Sequence, residues 1–183
     1  KFECLSIVDE RSAGYFALGL ARETRKPVAL VCTSGTAALN YAPAVAEAYY
    51  QQIPLVVITA DRPKEWINQA DGQAINQPGI YSNYIRYQCT LPLSGGHADD
   101  EWFMNRMLNE AFQKCTGATP GPIHINVPMR EPLYGKTVYP PKPARKIDIL
   151  SGDSLLSDEA FGTLIAEIER YERVMVLTGA MHQ

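Results

Sequence analysis

Basic charge, histidine and long apolar runs are scarce in this chain, and each scarcity excludes something. Seventeen Lys and Arg stand against twenty Asp and Glu in 183 residues, a formal net charge of −3. With no basic arm or cluster, neither nucleic acid nor an anionic membrane surface is an expected partner. The longest apolar runs are of strand length, too short to span a bilayer. The stretch Lys1-Phe2-Glu3-Cys4 lacks the charged-then-hydrophobic layout of a secretion signal, which points to a cytoplasmic setting. The four cysteines, Cys4, Cys32, Cys89 and Cys115, form no Cys-x-x-Cys; those in strand or helix patterns read as small buried thiols rather than disulfide partners or zinc ligands. His97 and His124 lie far apart with no ligand spacing, and His124 alternates with Ile123 and Ile125 as a strand residue does, so no metal ligand is expected here.

What is present is an α/β pattern, with 46% hydrophobic residues, enough for one good core and the beginning of another. Cys4-Leu5-Ser6-Ile7-Val8, Pro27-Val28-Ala29-Leu30-Val31-Cys32, Leu55-Val56-Val57-Ile58-Thr59-Ala60 and Ile123-His124-Ile125-Asn126-Val127 are short apolar runs rich in β-branched residues, as expected of strands buried on both faces. Between them run helical periodicities. The first, about 11–24, has Ala13, Phe16, Ala17 and Leu20 on one stripe; the second, about 37–51, has Ala38, Tyr41, Ala42, Val45 and Tyr49. Met104, Met107, Leu108, Ala111 and Phe112 mark a later one. Alternating β and α units predict right-handed crossovers and a mainly parallel sheet flanked by helices on both faces.

Strand ends are where α/β sheets bind ligands. Glu10 follows the first run, Thr33-Ser34-Gly35-Thr36 the second and Asp61-Arg62-Pro63 the third, so parallel pairing would bring all three to one sheet edge. A carboxylate there can exchange or share a proton with a bound heterocycle. Asp9 and Glu10 can equally serve as helix cap and dipole partner. Small hydroxyl residues and Gly35 let a ligand approach the backbone, and Pro63 holds Arg62 extended. A long polar stretch from Asp61 to about Tyr87, with Asn68, Gln69, Gln73, Asn76 and Gln77, is of a length that usually signals function or disorder. Trp66 and Trp102 read as packing residues. Tyr49, Tyr50, Tyr81, Tyr84 and Tyr87 read as core or surface tyrosines by default, with a subunit contact as the alternative.

Past Gly135 the composition changes. Val138 to Lys146 is proline-rich and basic, an extended linker pattern. Beyond it Phe161, Leu164, Ile165 and Ile168 predict a helix, and Val174-Met175-Val176-Leu177 a strand ending at Thr178-Gly179. The expected organisation is one domain over 1–136, a linker over 137–150, and the truncated start of a central α/β domain over 151–183.

Five motifs in one order carry a resemblance: Asp9-Glu10-Arg11 with Ala17 to Ala21, Val31 to Ala37, Ile58 to Pro63, Gln73 to Gly79, and Glu131-Pro132-Leu133-Tyr134-Gly135. Together they resemble the pyrimidine-binding domain of thiamine-diphosphate enzymes, most closely that of the menaquinone-pathway 2-succinyl-5-enolpyruvyl-6-hydroxy-3-cyclohexene-1-carboxylate synthases. The resemblance implies that Glu10 bonds N1′ of the cofactor aminopyrimidine and favours the imino tautomer that deprotonates thiazolium C2, with Thr33, Ser34 and Gly35 beside the cofactor. It implies that 2-oxoglutarate is decarboxylated and the resulting carbanion added to isochorismate, with Arg62 holding anionic substrate and Gln73 contacting the acceptor. Asp61 and Glu65 are alternative, structural partners for Arg62, and a solvated loop amide is the alternative for Gln73.

The resemblance also implies thiamine diphosphate with Mg2+ or Mn2+, the diphosphate and metal being held by a domain not in this sequence. Asp71-Gly72 lies in a polar loop and does not match that domain's Gly-Asp-Gly motif. An earlier strand with a Gly-Ser-Arg-Ser loop is likewise expected outside the sequence, so the piece alone should be inactive. A homodimer or homotetramer with active sites shared between subunits is implied. Another thiamine-diphosphate enzyme, of acetolactate synthase or 2-oxoacid decarboxylase type, and a non-catalytic α/β interaction module are the other readings.

Overall fold

The computed structural model describes residues 3–93, 97–130, 144–149 and 155–177. It divides into two compact units between Ile147 and Asp148. Among the described residues of the first unit four parallel strands, β1 (Val28–Cys32), β2 (Leu55–Asp61), β3 (Tyr87–Thr90) and β4 (Ile123–Pro128), stand in the order β1-β2-β4-β3. The helices are α1 (Glu10–Thr24), α2 (Thr36–Asn40), α3 (Ala42–Tyr50) and α4 (Ala98–Thr116). The parallel α/β architecture expected from the pattern is the one found.

The sheet has two cores because side chains alternate across it. Leu30, Leu55 and Val57 pack with Ala17, Leu18, Val45 and Tyr81 on the α1 and α3 side. Val56, Ile123, Ile125 and Cys89 pack with Met107, Ala111 and Cys115 of α4 on the other. Fully burying side chains of this size contributes about 1.5–3 kcal/mol each, so both faces matter to stability.

Several expectations need correction. Cys4 to Val8 form no strand: they are exposed, and no described strand pairs with them, since an apolar run becomes a strand only where a partner edge accepts its hydrogen bonds. Cys4 is therefore exposed rather than buried. β1 is not buried on both faces, because Ala29 and Val31 on its outer face are exposed. The buried stripe of α1 is Gly14, Ala17, Leu18 and Ala21, while Phe16 and Leu20 lie at 51% and 38% exposure. Close helix contact selects the small residues: a Cβ at Gly14 would stand 3.0 Å from that of Ala44 in α3.

The helix expected over 37–51 is two helices meeting at Tyr41. Pro43 sits in the first turn of α3 and cannot supply the N–H a continuous helix needs there. β3 had no forecast; it is a four-residue edge strand with a single buried side chain, Cys89. Trp66 and Trp102 are more than half exposed rather than packed. Of the linker pattern, 144–147 lies along α4, where Asn105, Asn109 and Gln113 at successive four-residue steps act like a strand edge. Asn109 donates to Arg145 O at 2.7 Å and accepts from Ile147 N at 2.8 Å, and Gln113 donates to Ile147 O at 3.0 Å.

In the second unit α5 (Asp158–Ile168) starts at Ser157, whose hydroxyl accepts from Ala160 N at 3.2 Å. Val174 to Leu177 are exposed and form no strand. The motif Glu131 to Gly135 and the dipeptide Thr178-Gly179 lie outside the described residues.

Candidate functional site

The entrance to α1 separates two carboxylates that look equivalent in sequence. Asp9 is the N-cap: its backbone is extended, and Oδ1 accepts from Ser12 N at 2.7 Å. The bonds from Ser12 hold the Asp9 carboxyl below its usual range. Glu10, the first helical residue, is half-buried and lines a cleft of about 450 Å³ together with Thr33, Ser34, Gly35 and Gln73. Glu10 reaches this place from a helix start and not from the end of a sheet strand.

Gly35 shapes the opposite wall. Its φ is +88°, and an added Cβ would meet the Cα and O of Gln73 at 3.1 Å. Only glycine combines that backbone conformation with that approach. Gly35 N donates to Gln77 Oε1 at 2.7 Å, which pins the turn against the loop bearing Gln73. That loop is itself unusual: Asn68, Ala70 and Gln73 all have φ near +60°, and of the three only Asn adopts it readily. Strain of this kind persists only where surroundings impose it, and it clusters at functional sites.

Behind the cleft lie a thiol and a phenol that interact with the Glu10 carboxylate and keep their protons. Cys32, at the end of β1, has its thiol pushed up to about 11 by burial, with the Glu10 carboxylate adding to the effect. Tyr41 donates to Val31 O at 3.0 Å, and its hydroxyl is pushed up by burial first and by Cys32 and Glu10 next. Both stay neutral near pH 7, and among the described residues that line the cleft Glu10 is the one with a carboxyl.

The structure brings Glu10, Thr33, Ser34, Gly35 and Gln73 together on one cleft; Arg62 is not among its lining residues. Arg62 pairs through Nε with Asp71 Oδ2 at 3.3 Å, while its backbone N donates to Asp61 Oδ1 at 2.8 Å. Glu65, one of the structural partners weighed for Arg62, instead pairs with Arg130 at 2.7 Å. The cleft also takes Asn40, at the end of α2, and Ala74 and Ile75, which follow Gln73 in its motif; none of the three has a reactive group to mark it in the sequence. Gln77 stands in the sequence as one polar loop residue among several, inside the Gln73 to Gly79 motif, yet it is fully buried. His97 accepts from Asp99 N at 3.2 Å at the start of α4, and among the described residues no group of His, Cys, Asp and Glu could hold a metal ion.

Comparison with known proteins agrees with this geometry. Residues 1–80 match the family described as thiamine pyrophosphate enzyme, N-terminal TPP binding domain. Over 182 residues, 99% of this chain and 32% of its relative, the chain is 47% identical to the 2-succinyl-5-enolpyruvyl-6-hydroxy-3-cyclohexene-1-carboxylate synthase of Bacteroides fragilis. Identity to the synthase of that name from Cytophaga hutchinsonii is 39% over 184 residues, covering 98% of the chain and 32% of the relative. For that of Lysinibacillus sphaericus it is 52% over 126 residues, 69% and 22%. The chain spans about a third of the length of the first of these curated relatives. A carboxylate on a glycine-walled cleft, set within this family match, leads to one assignment: residues 1–80 of the chain belong to the N-terminal TPP-binding domain family of thiamine pyrophosphate enzymes.

Proposed function

We propose that this chain supplies the pyrimidine-side half of the cofactor site in a 2-succinyl-5-enolpyruvyl-6-hydroxy-3-cyclohexene-1-carboxylate synthase, acting on 2-oxoglutarate and isochorismate in menaquinone biosynthesis. The observation that carries the reading is the presence of Glu10 and Gly35 on two walls of one cleft. The residues fit the group: Gly35 lets the loop after β1 close on the Gln73 backbone, where a Cβ would clash, and Glu10 offers a carboxyl on the cleft these loops line. When bound, thiamine diphosphate supplies a carbon nucleophile and an electron sink for decarboxylation and carbon–carbon bond formation.

Glu10 holds a proton at N1′ of the aminopyrimidine, and Thr33, Ser34 and Gly35 let the ring lie close to the backbone. Arg62 binds an anionic substrate through a charged, bidentate-capable head, and Gln73 orients the acceptor. Mg2+ or Mn2+ and the diphosphate are held by residues outside this sequence, and sites are completed between subunits of a homodimer or homotetramer in the cytoplasm.

Assay of the full-length protein with 2-oxoglutarate, isochorismate, thiamine diphosphate and Mg2+ tests this. The expected result is release of carbon dioxide with formation of the succinylated cyclohexene product only when both substrates are present. Turnover of pyruvate in place of 2-oxoglutarate, with no reaction of isochorismate, would replace the reading by an acetolactate synthase or decarboxylase type. The placement of Arg62 outside the Glu10 cleft is the observation that keeps this second reading in view.

A further inference from the structure

Five polar side chains, Thr59, Asp61, Gln77, His124 and Asn126, are buried near the carboxyl ends of β2 and β4, on the sheet face that carries α1 and α3. Their hydrogen bonds admit one consistent set of directions. Gly35 N can only donate, so Gln77 must present Oε1 to it, at 2.7 Å. Gln77 Nε2 then faces Asn126 at 2.9 Å and Ala60 O at 2.9 Å, which requires Asn126 to present Oδ1. Asn126 Nδ2 is thereby turned to Asp61 Oδ2 at 2.7 Å, while Asp61 Oδ1 accepts from Arg62 N at 2.8 Å. Asp61 thus accepts through both oxygens, as a carboxylate does. Thr59 spends its one proton on Asn126 Oδ1 at 2.8 Å, so the contact with His124 Nε2, also 2.8 Å, is donated by the imidazole. Reversing either amide would set buried donors against donors, which costs far more than a surface hydrogen bond gains.

We infer that Gln77, Asn126 and Asp61 are positioning residues: a buried relay with fixed polarity that ties the Gly35 turn to the backbone at Arg62, so that the loop after β1 and the loop after β2 hold one relative geometry. The coupling stands on hydrogen bonds alone; its consequence for catalysis rests on the proposed roles of Gly35 toward cofactor and Arg62 toward substrate. Gly35 and Arg62 lie 27 residues apart in sequence, and the relay reaches between them through a third strand, β4.

The test is amide hydrogen exchange by NMR on this chain and its Asp61→Asn variant, an isosteric change that sets an amide nitrogen against one of two donors. Exchange at Gly35 should accelerate by about tenfold or more, with Ala111 in α4 unchanged. No change at Gly35, or equal acceleration at Gly35 and Ala111, would overturn the relay. If the variant does not fold, the unmodified chain decides: a scalar coupling across the bond from Gly35 15N to the Gln77 side-chain carbonyl supports the relay, and its absence overturns it. In the full-length protein Asp61→Asn should raise the KM for thiamine diphosphate and for the anionic substrate together, several-fold each, and a rise in one alone contradicts the coupling. If the unmodified full-length protein turns over neither proposed substrate, the functional reading fails while the exchange result stands on its own.

Discussion

The two faces of the sheet are made from the same strands and do different work. The α4 face, with Val56, Ile123, Ile125, Met107, Ala111 and Cys115, is apolar from end to end. The α1 and α3 face begins apolar at Leu30, Leu55 and Val57, then passes into Thr59, His124, Asn126 and Gln77 toward the strand ends. Alternation alone decides which residue goes where: Val57 and His124 are register partners, as are Thr59 and Asn126, while their neighbours Ile58 and Ile125 point the other way. Buried polar groups add little net stability when satisfied and cost much when not, so they fix a single arrangement where apolar packing would accept several. The face with fixed arrangement is the one that carries the cleft.

The largest expected effect lies on the apolar face. Ile125→Ala should lower the unfolding free energy of the first unit by about 3 kcal/mol, within the usual range for truncating a buried Ile, without altering Gly35 exchange relative to its neighbours. Denaturant melts together with NMR read both quantities. A selective effect at Gly35 would mean that the faces are not separate in function.

On the polar face His124 should make stability pH-dependent. Burial pushes its imidazole down to about 4 from an ordinary 6.5, and among the described residues its Nδ1 has no hydrogen-bond partner. The unfolded chain therefore binds a proton between these values while the folded one does not. Stability is full above about pH 6.5 and falls by about 3 kcal/mol as pH drops toward 4, over and above the exposed carboxylates. His124→Phe should remove most of that slope in melts across the window. An unchanged slope would assign the acid sensitivity elsewhere.

Gly35→Ala should cost about 1–3 kcal/mol, because the new methyl must meet the Gln73 backbone in a positive-φ conformation. A neutral result would show that the loop after β1 relaxes freely and is not held by Gln77. Trp66, 54% exposed and belonging to neither face, gives the smallest change: Trp66→Ala should cost about 1 kcal/mol or less.

The same contrast explains what the sequence could reveal. β1, β2 and β4 were readable because apolar β-branched runs are a local signal. Cys4 to Val8 and Val174 to Leu177 carry the same signal and are no strands here, because pairing depends on an edge that no local pattern reports. On α1 bulk does not decide burial: Gly14 lets α3 approach closely, while the larger Phe16 and Leu20 stay partly in solvent. Glu10, Gly35 and Gln73 stood out by residue type next to strand ends or loops. The relay did not, since a buried glutamine in a polar loop reads like any solvated one until its four neighbours are placed.

Exchange of the C2 proton of thiamine diphosphate bound to the full-length protein, compared with its Glu10→Gln variant, tests the role of the Glu10 carboxyl. If the Glu10 carboxyl holds a proton at the aminopyrimidine, exchange slows by about 10² to 10⁴, the range for a positioned acid–base group, while the fold is kept. An exchange rate that is the same in both proteins would contradict the account and leave Glu10 as part of a helix start beside a cleft with some other use.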